Sequence, residues 1–247
     1  MNADKSPPMN AELPMTPDQV FPGSDNLEVM TEARNYNAFV LALAMRDARK
    51  GLRLLDFGAG SGRFAREIAG ATSPARLVCV EPDPLLRSML AAANLESAAS
   101  AEAVAPGSID YAYSLNVLEH VERDEEALAT LYAALAPGAS LFLYVPAFKV
   151  LWSPMDTQVG HLRRYRRGEL RAKCERAGFV VDSVRYVDSI GFLASLWLRA
   201  FGSRAGRLDA AAVRFYDRFV FPVSRRMDAV TGLWFGKNIA LRARKAA

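Results

Sequence analysis

Leu54-Leu55-Asp56-Phe57-Gly58-Ala59-Gly60-Ser61-Gly62-Arg63-Phe64-Ala65 decides the fold of this 247-residue chain. A short apolar run ends in an acid, glycines then alternate with small residues, and a helical pattern begins at Arg63. That order is a buried strand, a tight turn and a helix N-terminus. Glycine at alternate positions admits positive φ and lets a ligand lie directly against the backbone. The spacing is G-x-G-x-G behind an Asp, not the G-x-G-x-x-G that cradles a pyrophosphate, so the ligand need not be a phosphate.

A second stretch completes the signal. Leu77-Val78-Cys79-Val80-Glu81-Pro82-Asp83 reads as another buried strand ending in an acid, with Glu81 standing 25 residues after Asp56. An acid at the tip of a second strand can take both hydroxyls of a ribose in a bidentate hydrogen bond. Together the stretches describe an adenosine-containing cofactor at the carboxyl ends of adjacent parallel strands. The plainer alternative is a glycine-rich turn in an unrelated α/β fold.

The pair resembles the cofactor site of class I S-adenosylmethionine-dependent methyltransferases. The resemblance implies that Asp56, Gly58, Ala59, Gly60 and Gly62 lie under the methionine part of the cofactor. It implies that Glu81, with Pro82 beside it, holds the ribose. In Ser114-Leu115-Asn116-Val117-Leu118-Glu119-His120-Val121, Leu115 and Asn116 would flank the cofactor and the rest would face the acceptor. Ser100 and Ala101 stand near the family's adenine-binding acid, and Tyr36, on the first helix, would cover the methionine end. The implied fold is α/β, a Rossmann-like seven-stranded methyltransferase fold with an antiparallel last strand and a helical insertion or cap. Beyond that core, Val145-Pro146-Ala147, Leu151-Trp152, Asp156, Gly160-His161-x-Arg163-Arg164-Tyr165, Ala177-Gly178-Phe179 and Gly236-Lys237-Asn238 resemble a bacterial small-molecule subgroup linked with glycan, lipid or secondary-metabolite pathways. The likeness runs over about residues 28–245.

Composition agrees with one such unit. Hydrophobic residues make up 51% of the chain and aromatics 10%, enough for a packed core. Two cysteines, Cys79 in a predicted strand and Cys174 in a predicted helix, give no disulfide framework and point to a reducing cytoplasm. No stretch has the order of a signal peptide, and the longest apolar run, Gly191–Leu198, is too short to span a bilayer. The net charge of +4 is unevenly spread: residues 1–150 hold 12 basic and 19 acidic residues, residues 151–247 hold 19 and 8. A basic half suits an anionic small molecule, a membrane surface or nucleic acid, and equally a solvated face. No base-amino methyltransferase motif and no RNA-binding module accompanies it, so nucleic acid is the weaker reading.

In chain order, residues 1–26 carry five prolines and read as a flexible tail or lid; residues 27–247 form the methyltransferase domain. A helical pattern runs from Leu27 to Arg49. The helix opening at Arg63 is expected to stop at Gly70. A helix follows Pro84, then strands at Glu96–Ser100, Ile109–Leu115, Ser140–Val145, Phe179–Val187 and Leu233–Arg242. An amphipathic helix at Asp124–Leu135 is expected to end at the Pro137-Gly138 turn. Strands alternating with helices imply a parallel sheet with right-handed crossovers. Residues 147–167 read as an active-site loop. Residues 189–231, rich in aromatics and arginine, read as a helical cap, a homodimer interface or a peripheral membrane contact.

His120 and His161 are the only histidines, and both fall in segments expected at the cofactor mouth. His161 lies in a polar loop, and an imidazole of ordinary pKa, about 6.5, suits a general base for a hydroxyl or amine acceptor. His120, Asp156, Arg163, Arg164 and Tyr165 are the expected acceptor-binding residues, the guanidinium groups suiting a carboxylate or phosphate. Loop ordering by His161 and neutralisation of acids by the arginines are the structural alternatives. Glu119, His120, Asp156 and His161 have the ligand types of a divalent metal site, but their spacing fixes no geometry, and no metal is expected.

Overall fold

A computed structural model describes residues 29–201 and 209–247. The predicted tail at 1–26, the first residues of the predicted helix from Leu27, and part of the 189–231 insertion lie outside these residues. After a helix at Arg34–Met45 (α1), the chain lays down β1 (Arg53–Phe57), α2 (Arg63–Thr72), β2 (Arg76–Val80), α3 (Pro84–Ala92), β3 (Glu96–Ala98) and β4 (Ile109–Leu115). Then come α4 (Asp124–Ala134), β5 (Leu135–Pro146), α5 (Pro154–Gln158), α6 (Arg167–Arg176) and β6 (Val180–Val187). Three further helices, α7 (Ser189–Phe201), α8 (Ala210–Phe215) and α9 (Phe221–Thr231), precede β7 (Asn238–Arg244). The sheet has seven strands in the order β3-β2-β1-β4-β5-β7-β6. Neighbours from β3 to β5 are parallel, and β7 runs antiparallel to both β5 and β6.

Strands of this kind are apolar on both sides because helices cover both faces. Leu55, Val78, Ala112, Leu143 and Leu241 pack under α4 and α6. Their sequence neighbours Leu54, Cys79, Tyr111, Tyr113, Phe142 and Tyr144 face α1, α2 and α3. Strand order reverses between β1 and β4, which opens a crevice at the carboxyl ends of the strands, the usual ligand position in such sheets.

Several predicted boundaries are corrected. Gly70 lies inside α2, which ends at Ser73 with φ 44°. The helix before β5 passes directly into the strand at Leu135, so Pro137-Gly138 lies within β5 and does not terminate α4. The strand expected from Leu233 begins only at Asn238; Leu233 and Trp234 are apolar but exposed.

Between β6 and β7, the described residues from Ser189 to Thr231 are helical apart from Asp209, with a π-helical turn at Tyr216–Val220 joining α8 to α9. Asp188 anchors it at the end of β6. One carboxylate oxygen accepts from the Tyr216 hydroxyl at 2.6 Å, the Ser224 hydroxyl at 2.9 Å and the Gly191 amide at 3.0 Å. Asp217 reaches further. Ala33, at the start of α1, has no capping side chain, and Asp217 accepts from the first-turn amides of Asn35 and Tyr36 at 2.9 and 2.8 Å. A carboxylate about 180 positions away thus performs the work of an N-cap. Phe221, fully buried, sits 5.5 Å from the rings of both Tyr36 and Phe39.

Candidate active site

The loop after β1 takes the strained path its glycines allow. Gly58 has φ 81°, and a Cβ there would collide with Val117 from the β4 loop. Gly62 has φ 76° at the N-terminus of α2, where a Cβ would meet Leu90 Cδ2 at 2.5 Å and Leu95 Cδ1 at 2.8 Å. Gly60 has open space on that side. The amides of Gly58 and Ala59 bond to Val80 O at 2.8 and 3.1 Å, lacing the loop to β2. Glu81, largely buried, accepts from the Gly60 amide at 2.8 Å and the Asp83 amide at 3.0 Å. Its carboxylate is fixed at the β2 tip, and each oxygen keeps a lone pair for a further donor.

Asp56 is 3% exposed beneath the loop. Burial pushes its carboxyl up to about 7, with the Glu81 charge adding to the effect and the Tyr113 hydroxyl opposing it. Leu115 closes β4, and Asn116 follows with φ 54°, its amide bonded to Tyr144 O at 2.8 Å. Tyr36 packs edge-on against Tyr144, and its hydroxyl meets the Asn238 amide group at 3.4 Å. Ala101 is buried and Ser100 exposed beyond the end of β3, while Pro82 is exposed beside Glu81. Apart from Tyr36 on α1, these residues stand at or just beyond the carboxyl ends of β3, β2, β1 and β4, which are neighbours in the sheet.

A second polar group lies across β4. The turn Leu118–His120 carries Glu119, which is fully buried, and neither of its carboxylate oxygens meets a hydrogen-bond donor. Burial pushes this carboxyl up to about 8. The Gly160–Tyr165 segment runs alongside: the Leu162 amide bonds to Glu119 O, and the Tyr165 amide to Pro146 O, both at 2.9 Å. His161 gives its Nδ1 proton to Asp156 Oδ1 at 2.7 Å, and its Nε2 lies 3.7 Å from Glu119 Oε1. Asp156 also accepts a two-point bond from Arg164, at 2.7 and 3.0 Å, and the Ser153 amide at 2.8 Å. Burial alone would raise the Asp156 carboxyl, but the bonds from His161 and Arg164 outweigh it and hold the group well below the usual carboxylate range. His120 bonds through Nδ1 to Gly160 O at 3.2 Å, and its ring meets the His161 ring edge-on at 4.7 Å. Burial and the adjacent His161 ring hold the His120 imidazole below its ordinary value.

Not every residue expected to meet the acceptor faces the opening. Tyr165 is fully buried, its hydroxyl placed between Leu118 O at 3.1 Å and Asp124 Oδ2 at 2.8 Å. Arg163 is committed to Asp124 at 2.9 Å and Glu122 O at 2.8 Å, and Arg164 to Asp156. All three hold the loop together, with their polar groups paired within the chain. His120, His161 and Asp156 do converge. Glu119 has no role in the sequence reading outside the metal combination, and only its burial without a partner distinguishes it.

An α/β sheet in this strand order, with a glycine loop and an acid at the tips of its first two strands, defines a cofactor-dependent class of proteins. A model for the methyltransferase domain matches residues 30–184. The chain belongs to this family, the class I S-adenosylmethionine-dependent methyltransferases. No curated protein matches it in sequence. Among solved structures, it resembles the methyltransferase bound to the Trm112 activator of Haloferax volcanii, with 16% identity, a TM-score of 0.63, and coverage of 91% of this chain and 96% of that one. An S-adenosylmethionine-dependent methyltransferase from Mesorhizobium loti shares 17% identity, with a TM-score of 0.56 over 83% and 96% of the two chains. Phosphoethanolamine N-methyltransferase 2 of Haemonchus contortus, solved with S-adenosyl-L-methionine, shares 15% identity and a TM-score of 0.60 over 91% of this chain and 58% of that one. At such identities the likeness is one of fold. Among the described residues, no helix is long and apolar enough to cross a membrane.

Proposed function

We propose that this methyltransferase acts on an oxygen or nitrogen of a small molecule, of the anionic, lipid-linked, glycan-linked or secondary-metabolite kind, in the cytoplasm. The observation that supports it is the convergence of His161, Asp156 and Glu119 beside the loop that follows β4. S-adenosylmethionine, when bound, supplies a methyl group on a sulfonium, which is already a good leaving group. The residues of this chain then have to hold, align and deprotonate.

The backbone of Gly58 to Gly62 and the buried Asp56 fit the methionine part, because Gly60 leaves open the space a side chain would fill. Glu81 fits the ribose, with its oxygens already oriented by two amides. Leu115 and Asn116 flank the cofactor on the β4 side, Tyr36 closes the methionine end, and Ser100 with Ala101 border the adenine end. His161 is the general base: Asp156 holds the proton on Nδ1, which leaves Nε2 unprotonated to accept one from the acceptor. His120 lines the same opening.

Calorimetric titration with S-adenosylhomocysteine, beside NAD and with a Glu81→Ala control, tests the cofactor half. Micromolar binding of the first alone, weakened by the substitution, is expected; binding of NAD instead would overturn the reading. Incubation with methyl-labelled cofactor and deproteinised cell extract tests the acceptor half. Label is expected in the small-molecule fraction, and it should disappear with His161→Ala while S-adenosylhomocysteine affinity stays nearly unchanged. Label found only in RNA or protein would refute the acceptor class.

A further inference from the structure

In the deprotonated forms that bind a cation, the groups of this cluster all offer lone pairs. The Gly160 carbonyl can only accept, so the Nδ1 of His120 must be the donor in their 3.2 Å contact, and its other nitrogen carries no proton in the neutral ring. Asp156 imposes the same arrangement on His161, whose bare Nε2 faces Glu119 Oε1 at 3.7 Å. Glu119 is fully buried, and neither oxygen has a donor. One atom from each of Glu119, His120 and His161 lies within 4.8 Å of the other two. A fully buried carboxylate whose oxygens have no hydrogen-bond partner is costly, and a cation held between it and the two imidazoles would satisfy it.

We infer that Glu119, His120 and His161 bind a divalent transition-metal ion. The donor set, two imidazoles and one carboxylate, suits zinc, iron or cobalt better than magnesium or calcium. Asp156 on His161 Nδ1 is placed as the carboxylate that orients a metal-binding imidazole. Metal–ligand bonds of about 2.0–2.2 Å require the cluster to contract by roughly 1 Å, which rotation of the His120 side chain can supply. Three protein ligands leave a position open. An acceptor hydroxyl bound there loses its proton to bulk water more readily, as a metal-bound water does. This rests on the same opening receiving the acceptor; it narrows the acceptor to an oxygen and replaces His161 as the base, since its Nε2 would hold the metal and not a proton.

The test needs no acceptor. The full-length protein, stripped with a chelator and desalted, is titrated with Co²⁺ and followed by visible absorbance and calorimetry. One ion per chain is expected, with the d–d bands of a nitrogen- and oxygen-bound site and displacement by Zn²⁺. Glu119→Gln and His120→Ala should each weaken Co²⁺ binding at least tenfold and bleach the bands. S-adenosylhomocysteine binding, measured on each variant, verifies the fold. Co²⁺ binding that is equal in wild type and both variants, or absent from a wild type that still binds S-adenosylhomocysteine, overturns the metal site. In that case loss of labelling in His161→Ala still supports His161 as a base, so the two readings fail separately.

Discussion

Replacing Asp56 by Asn keeps the shape of a buried side chain and removes its titration. Asp56 is 3% exposed, and burial pushes its carboxyl up to about 7. Between about pH 4 and about pH 7 the folded protein keeps a proton that the unfolded chain has released. The folded state then binds more protons, so stability falls as pH rises through this window and levels off above the folded value. A carboxyl moved from about 4 to about 7 sets a ceiling of about 4 kcal/mol. Relaxation of the surroundings reduces the expected effect to about 2 kcal/mol, since buried groups respond as if in a higher dielectric. For a chain of this size that is roughly 4–8 °C in Tm. Thermal melts of wild type and Asp56→Asn at about pH 5 and about pH 8 should converge at the acid end and diverge at the alkaline end, with the variant the more stable. The ligand should reverse the ranking. If Asp56 lies under the methionine part as proposed, its carboxylate faces an ammonium, so wild-type affinity for S-adenosylhomocysteine should climb with pH while that of the variant stays flat and at least tenfold weaker at the alkaline end. Parallel Tm–pH curves, or equal affinities, would refute the argument.

Three substitutions probe the scaffold. Gly62→Ala places a methyl against Leu90 and Leu95 at a backbone angle that L-residues avoid, and should cost about 2–3 kcal/mol by urea unfolding and weaken S-adenosylhomocysteine binding as well. Asp217→Ala frees the first-turn amides of α1 and should cost about 1–3 kcal/mol; protection of Asn35 and Tyr36 from hydrogen exchange should fall before that of the sheet. Tyr165→Phe removes a hydroxyl placed between Leu118 O and Asp124. It should lower stability by about 1–2 kcal/mol and leave cofactor affinity unchanged; a large loss of affinity would show that Tyr165 acts beyond its loop.

The cofactor side is legible in the sequence because it depends on local order. Buried parallel strands read as unbroken apolar runs, and the groups that matter, Asp56 and Glu81, lie at the points where those runs stop. Burial is a weaker guide where a segment is apolar for another reason. Leu233 and Trp234 extend the apparent last strand, yet they are exposed on the insertion, and pairing begins only at Asn238. Gly70 looks like a helix stop, but one glycine in an exposed turn costs only about 1 kcal/mol and the helix continues through it. The proposed acceptor side is assembled from Glu119, Asp156 and His161, which no periodicity relates. Arg163 and Arg164 read equally as a clamp for an anion and as partners of nearby acids, and only the fold shows them paired with Asp124 and Asp156.

The last strand in chain order lies inside the sheet. Until residues 238–244 leave the ribosome, both β5 and β6 present open edges, and β5 is twelve residues long and largely apolar. A nascent chain that has completed the cofactor loops of β1, β2 and β4 therefore still carries two unpaired templates for aggregation. It also lacks Asn238 beside the Tyr36 hydroxyl. Synthesis rate over β7, and any chaperone that shields these edges, should govern the soluble yield of this protein more than changes to the loops after β1, β2 and β4.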